Sequence, residues 1–339
     1  MGIFLGLYGW TGGRKPMTET KDMSSEKSPD SDIKKKLIII AGPTAVGKSE
    51  CAVALAEKIG GAVISADSMQ VYRGMDIGTA KITPEEMQGV EHFGIDILDP
   101  EENYDVTEFV KMAHAALDKI YSEGKVPILC GGTGFYIQAL AYDIDFGEEK
   151  VDYDYRKKLS DFAETNGNEA LHEKLSEVDP ESAKAIPSGN VKRVIRALEY
   201  YKNHGEKISS HNLEEHQKKS PYDLRFFVLT DERQKLYDRI DARVDKMMEA
   251  GFLSEARRIY DLLGDRDCTA AKAIGYRELF SYFKGECTLE TAVSKIKQDT
   301  RHFAKRQLTW FRRYPEVIWI DRGTYPKTSE IVDFMADQF

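Results

Sequence analysis

Short apolar runs alternate along this chain with longer stretches in which apolar residues recur every three or four positions. Residues 37–41, 62–65 and 126–130 are such runs, each bounded by turn-forming residues. Strands covered on both faces read this way, because neither face meets water. Residues 50–59 and 106–122, lying between them, carry helical periodicity. The alternation predicts an α/β fold: a doubly wound parallel sheet with its functional loops at the C-terminal ends of the strands. After residue 142 the strand-like runs stop. Residues 143–190 show helical spacing instead, with Leu159 and Phe162, then Leu171, Leu175 and Val178, and are expected to form a helical insertion domain. Residues 225–229 and 317–320 return to the sheet, with mostly helical chain between them. The core is therefore expected to comprise residues 35–142 and 191–339. Residues 1–34 are rich in Gly, Ser, Thr, Lys and Asp, lack periodicity, and are expected to be a disordered extension. Met17 or Met23 is an alternative start.

Composition narrows the class. The chain has 339 residues, 41% hydrophobic and 31% charged, the balance of an ordinary soluble protein with room for two domains. Its net charge of -9 argues against an overall basic surface, though not against a local basic stripe. The four cysteines form no C-x-x-C pair, which disfavours a zinc site or disulfide framework and suits a reducing cytoplasm. Residues 3–7 are apolar but too short for an export signal, and no stretch has the length of a membrane span, so no membrane partner is expected.

The chemistry concentrates at three strand ends. Gly42-Pro43-Thr44-Ala45-Val46-Gly47-Lys48-Ser49 follows the first apolar run, opens the first helical stretch and matches G-x-x-x-x-G-K-[ST]. Its glycines let backbone N–H groups turn inward onto phosphate oxygens, the helix N-terminus adds partial positive charge, Lys48 adds a full one, and the Ser49 hydroxyl is a candidate Mg²⁺ ligand. The motif predicts bound phosphate without saying whose. The second strand ends in Ser65-Ala66-Asp67-Ser68-Met69-Gln70. Asp67 has three readings there: a Mg²⁺ ligand through water, a general base, or a helix N-cap. The third strand ends in Cys130-Gly131-Gly132-Thr133-Gly134, where Thr133 either caps the next helix or contacts substrate.

Further on, Arg239 and Arg243 share one helix face, and Asp241 and Asp245 are available to pair with them. Lys297, Arg301 and Lys305 recur every four residues. From Lys295 to Arg313 there are seven basic residues and one acid, a balance of about +6 inside a chain of -9, with Phe303, Trp310 and Phe311 interleaved. That contrast points to a polyanion track. Lys192, Arg193 and Arg196 form a second, smaller cluster, and the histidines form no metal set.

Together these pieces resemble the tRNA dimethylallyltransferases, also called tRNA isopentenyltransferases, from about residue 36 to 319. The specific marks, beyond the generic phosphate loop, are Gly74-Met75-Asp76-Ile77-Gly78-Thr79-Ala80-Lys81, Lys192-Arg193-Val194-Ile195-Arg196, Ile274-Gly275-Tyr276-Arg277 and Lys305-Arg306-Gln307-Leu308-Thr309-Trp310. The resemblance implies a P-loop NTPase-like core whose loop holds dimethylallyl diphosphate with Mg²⁺ on Ser49. It implies that the acceptor is N6 of the adenine 3′ of the anticodon, in tRNAs reading codons that begin with U. It casts Asp67 as general base, with Thr133 and Arg243 assisting. It assigns contact with the tRNA anticodon stem-loop to Asp67, Ser68, Met69, Gln70, Thr133, Lys192, Arg193, Arg196, Lys272, Arg301, Lys305 and Arg306. A cytoplasmic monomer is expected. Residues 1–34 depart from the family pattern and receive no role.

Three rivals stay open on sequence. A small-molecule kinase would use the same core, with Arg193 and Arg196 as a lid pair. A free-nucleotide isopentenyltransferase would share the chemistry without needing the basic stripe, and a non-catalytic RNA-binding protein would not need the phosphate loop with Asp67.

Overall fold

A computed structural model describes residues 34–144 and 152–338. The expected N-terminal extension, and the first part of the expected insertion at 145–151, lie outside the described residues. Six strands form one sheet: β1 (Lys36–Ala41), β2 (Gly61–Ala66), β3 (His92–Phe93), β4 (Val126–Gly131), β5 (Asp223–Thr230) and β6 (Ile318–Asp321). Their order is β3-β2-β4-β1-β5-β6, and every neighbouring pair is parallel. The helices of the first half are α1 (Lys48–Ile59), α2 (Pro84–Met87), α3 (Val106–Ser122), α4 (Gly134–Ala141), α5 (Tyr153–Asn166), α6 (Asn168–Val178) and α7 (Pro180–Ala185). Those of the second half are α8 (Val191–His204), α9 (Ile208–Gln217), α10 (Arg233–Glu249), α11 (Phe252–Leu263), α12 (Tyr276–Phe283), α13 (Leu289–Phe311) and α14 (Thr328–Ala336).

The central strands β1, β2 and β4 are buried on both faces because, past their first residue, nearly every position is apolar or small. In β1, Leu37, Ile39 and Ala41 enter one core with residues of α3, α4, α11 and α12. Ile38 and Ile40 point the other way, into a second core with α1, α10 and α14. This is the period-two alternation of a pleated strand. A third apolar cluster, separate from both, joins Leu159 and Ala163 of α5, Leu171 and Leu175 of α6, Ala183 of α7, and Val194, Ala197 and Leu198 of α8. Its packing therefore extends past residue 190, the boundary read from the sequence. Arg156 binds Glu199 through Nε and Nη2 at 2.7–3.0 Å, which clasps α5 to α8. The outer face of α8 leaves Lys192, Arg193 and Arg196 exposed.

Strand register brings the reactive loops together. Ala41 lies opposite Gly131, and Gly131 opposite Ala66. The loops after β1, β4 and β2 therefore leave the sheet side by side. The sequence reading did not include β3, whose pairing is limited to Val63 with His92 and Ile64 with Phe93.

Candidate active site

The three loops wall a cleft of about 860 Å³, within the range of small-molecule sites. Thr44, Ala45, Gly47, Lys48 and Ser49 line one end. The backbone curls at Gly42 (φ 145°) and Gly47 (φ 91°), a left-handed turn that glycine adopts without the clash a Cβ would bring. Val46 is buried beneath the loop as its apolar anchor. Lys48 Nζ donates to Pro43 O at 2.8 Å, which draws the ammonium back over the loop. Burial lowers the Lys48 pKa to about 8; Arg243 pushes the same way, while Cys130 and Asp67 oppose it. Arg243 reaches in from α10, its Nη1 3.4 Å from Thr44 Oγ1. Burial lowers its pKa too, with Asp67 opposing. Two partly desolvated cations and one carboxylate thus share the cleft, an arrangement that an anionic ligand would relieve.

Asp67 lines the cleft and its Oδ1 accepts Met69 N–H at 2.9 Å. No helix starts here, so the N-cap reading fails; the carboxylate closes a two-residue turn instead. Thr133 occupies the N-cap position of α4 but makes no cap hydrogen bond. Its Oγ1 instead accepts Ser68 N–H at 3.3 Å, tying the β4 loop to the Asp67 loop. Gln70, Gly131 and Gly132 also line the cleft, whereas Ser68, Met69 and Thr133 flank it.

The basic stripe is divided. On α13, Lys297 and Arg301 pair with Asp245 and Asp241 of α10, and Lys295 pairs with Asp299. These partners correct the sequence pairing: Asp241 and Asp245 neutralise α13, while Arg239 pairs with Asp231 and Arg243 enters the cleft. Lys305 and Arg306 are exposed and make no ion pair among the described residues. Arg306 lies over the Phe303 ring at 5.8 Å, and Arg313 over Trp310 at 4.6 Å. The uncompensated charge therefore sits in the C-terminal half of the helix. Lys272 pairs with Asp267, whose carboxyl is held low by Lys272 first and also by Lys192. Lys192, Arg193, Arg196, Lys272, Arg301, Lys305 and Arg306 do not line the cleft.

Three residues that hold the site were not visible in the sequence as such. Gln307 bridges the phosphate loop to the β4 loop. Arg322 donates to Val46 O at 2.9 Å and braces the phosphate loop from outside. Glu255 of α11, 2% exposed, accepts the backbone N–H groups of Asp76, Ile77 and Gly78 at 2.8–2.9 Å and the Tyr276 hydroxyl at 2.5 Å. It fixes the 74–81 segment that forms the cleft's far wall, where Lys81 adds bonds to Tyr72 O, Asp76 and Asp96. The 74–81 motif marked the family resemblance, but the carboxylate that anchors it lies 177 positions from Gly78.

Fold and cleft define an α/β protein with a P-loop-like core. A family model described as IPP transferase matches residues 70–314. The tRNA dimethylallyltransferase of Lachnoclostridium phytofermentans is 51% identical over 300 residues, covering 88% of this chain and 96% of that one. That of Halalkalibacterium halodurans is 48% identical, covering 90% and 98%. Among solved structures, the full-length tRNA isopentenylpyrophosphate transferase of Bacillus halodurans superposes with TM-score 0.67 at 48% identity, covering 90% of this chain and 96% of that one. A eukaryotic dimethylallyltransferase acting on tRNA superposes with TM-score 0.74 at 31% identity, covering 85% and 74%. The chain belongs to the IPP transferase family and is a transferase. No helix among the described residues is long and apolar enough to cross a membrane.

Proposed function

We propose that this enzyme transfers a dimethylallyl group from dimethylallyl diphosphate to N6 of the adenine 3′ of the anticodon, in tRNAs reading codons that begin with U. The observation carrying this reading is the convergence of Lys48, Arg243 and Asp67 in one cleft beside a phosphate loop. An exocyclic adenine amine is a poor nucleophile, because its lone pair is delocalised into the ring. As N6 bonds to the allylic carbon, the C–O bond to diphosphate breaks and the leaving group takes the electron pair. Lys48, Arg243 and the loop amides face that growing charge. Asp67 accepts the N6 proton, and Thr133 holds the Asp67 loop in place through Ser68. Val53, Ile77, Ile82 and Phe303 give the cleft apolar surface for the five-carbon tail.

The donor set fits Mg²⁺. Ser49 stands in the cleft at the α1 N-terminus, and no cluster of three His, Cys, Asp or Glu exists among the described residues to hold a metal alone. A small hard cation completes such a site with substrate phosphate and water. Ser49 Oγ and the diphosphate would hold it, and bound there it would neutralise leaving-group charge.

A target base must leave its stack to reach Asp67, as single-stranded loop bases do readily. The exposed faces of α8 and α13 supply the salt-dependent grip on the anticodon stem-loop. Replacing both Lys305 and Arg306 by Ala is expected to lower the log–log salt slope of tRNA binding by about 1.4–1.8. Arg301→Ala should change it less, since Asp241 already neutralises that guanidinium. Equal slopes for the two variants would return Lys305 and Arg306 to the role of a solvated face. Four free thiols accord with a cytoplasmic enzyme, which we take to act as a monomer.

The reading is tested with tail-labelled dimethylallyl diphosphate, Mg²⁺ and two acceptors. Label on unmodified tRNA but not on AMP is expected. Label on AMP would make the enzyme a free-nucleotide prenyltransferase, and label on neither would remove the reading.

A further inference from the structure

Gln307 sits on α13 among the basic residues but points the other way, 6% exposed and facing the cleft. Both ends of its amide are engaged. Oε1 accepts Thr44 N–H at 2.9 Å, and Nε2 donates to Gly132 O at 2.9 Å. One side chain therefore bridges the loop after β1 to the loop after β4. The first loop carries Lys48; the second carries Thr133, which in turn holds the Asp67 loop through Ser68 N–H. A Cβ on residue 132 would lie 2.1 Å from Nε2, so the approach of Gln307 requires glycine at this position.

The bridge also uses up the Thr44 N–H. That amide is committed to the protein, and the cradle offered to an anion begins further along the loop. Arg243 meets the same residue through Thr44 Oγ1, so this tie between the α10 guanidinium and the phosphate loop runs through a residue whose backbone Gln307 fixes.

From this the geometry points to Gln307 as a positioning residue that sets the distance between the diphosphate loop and the Asp67–Thr133 pair, and so acts on the rate of transfer rather than on the affinity for either substrate. The inference rests on the prenyl-transfer reading above. A group held within hydrogen-bond distance on both sides keeps two loops in register, and small misplacements of reacting groups cost rate steeply. Gln307 touches neither reacting atom. Its effect is transmitted through Thr44 and Gly132.

The test compares Gln307→Met, which keeps length but removes donor and acceptor, with Gly132→Ala, which displaces the amide while leaving Gln307 in place. Single-turnover transfer to tRNA is measured at saturating dimethylallyl diphosphate, alongside the tRNA dissociation constant and the diphosphate inhibition constant. Each variant is expected to lose about 10- to 100-fold in the single-turnover rate, with both binding constants within about twofold of wild type. Because both changes remove one bridge, the double variant should lose no more than the worse single one. Should Gln307→Met fail to fold, Gly132→Ala carries the test alone. A wild-type-like rate would overturn the inference, as would a loss confined to the binding constants or a double variant with multiplied losses. A wild-type enzyme that labels no tRNA would instead overturn the underlying reading.

Discussion

Asp67→Asn is expected to lose about 100- to 10,000-fold in turnover while binding tRNA within about twofold of wild type. The substitution is nearly isosteric, and an amide oxygen can still accept Met69 N–H, the bond that shapes the turn. Proton acceptance alone is removed. Thr133 and Ser68 keep their contact, because it runs through the backbone N–H of Ser68. A loss of turnover with intact binding therefore isolates the chemical step. Turnover within tenfold of wild type would leave Asp67 as a structural turn residue. Loss of tRNA binding in parallel would make it a contact residue first.

The second large effect concerns Lys48. Burial holds the pKa of this ammonium at about 8, well below its usual value. A diphosphate seated against it favours the protonated form and raises the pKa. The sign follows: below about pH 8 Lys48 is already charged and binding takes up no proton, whereas above it binding is coupled to uptake of one proton. Diphosphate affinity should therefore fall as pH rises above about 8, by up to tenfold per unit, until the bound-state pKa is reached. Calorimetry near pH 9, in two buffers of different ionisation enthalpy, would register the uptake. Lys48→Met should abolish it and weaken diphosphate by about 100-fold, the scale of losing a buried charge partner. No proton uptake in the wild type would mean that the anion sits elsewhere in the cleft.

What could be read in the chain divides by distance along it. The phosphate loop, the β2 and β4 ends and α3 were legible because their signals are local: an apolar run, a glycine turn, a helical period. Register then places Ala41, Gly131 and Ala66 side by side, which the doubly wound pattern already implied. Gln307, Glu255 and Arg322 were not legible as site-builders, since each acts on a segment more than 170 positions away. The basic stripe was legible as charge but not as free charge: that Arg301 and Lys297 face Asp241 and Asp245 depends on how α13 packs on α10, which no helical period records. Strand β3 is set by its partner β2 and not by its own two residues.

The C-terminal half of α13 presents two different faces. Its exposed face carries Lys305 and Arg306, and its buried face carries Gln307 at the heart of the loop cluster. One helix thereby adjoins both the expected tRNA surface and the phosphate loop.

The most direct measurement is transfer to two synthetic anticodon stem-loops, identical except that one carries purine, lacking the N6 amine, in place of the adenine 3′ of the anticodon. The account predicts label on the adenine stem-loop, recovered on N6 after digestion, and none on its purine counterpart. Label on the purine stem-loop, or on another base of the adenine one, would contradict it.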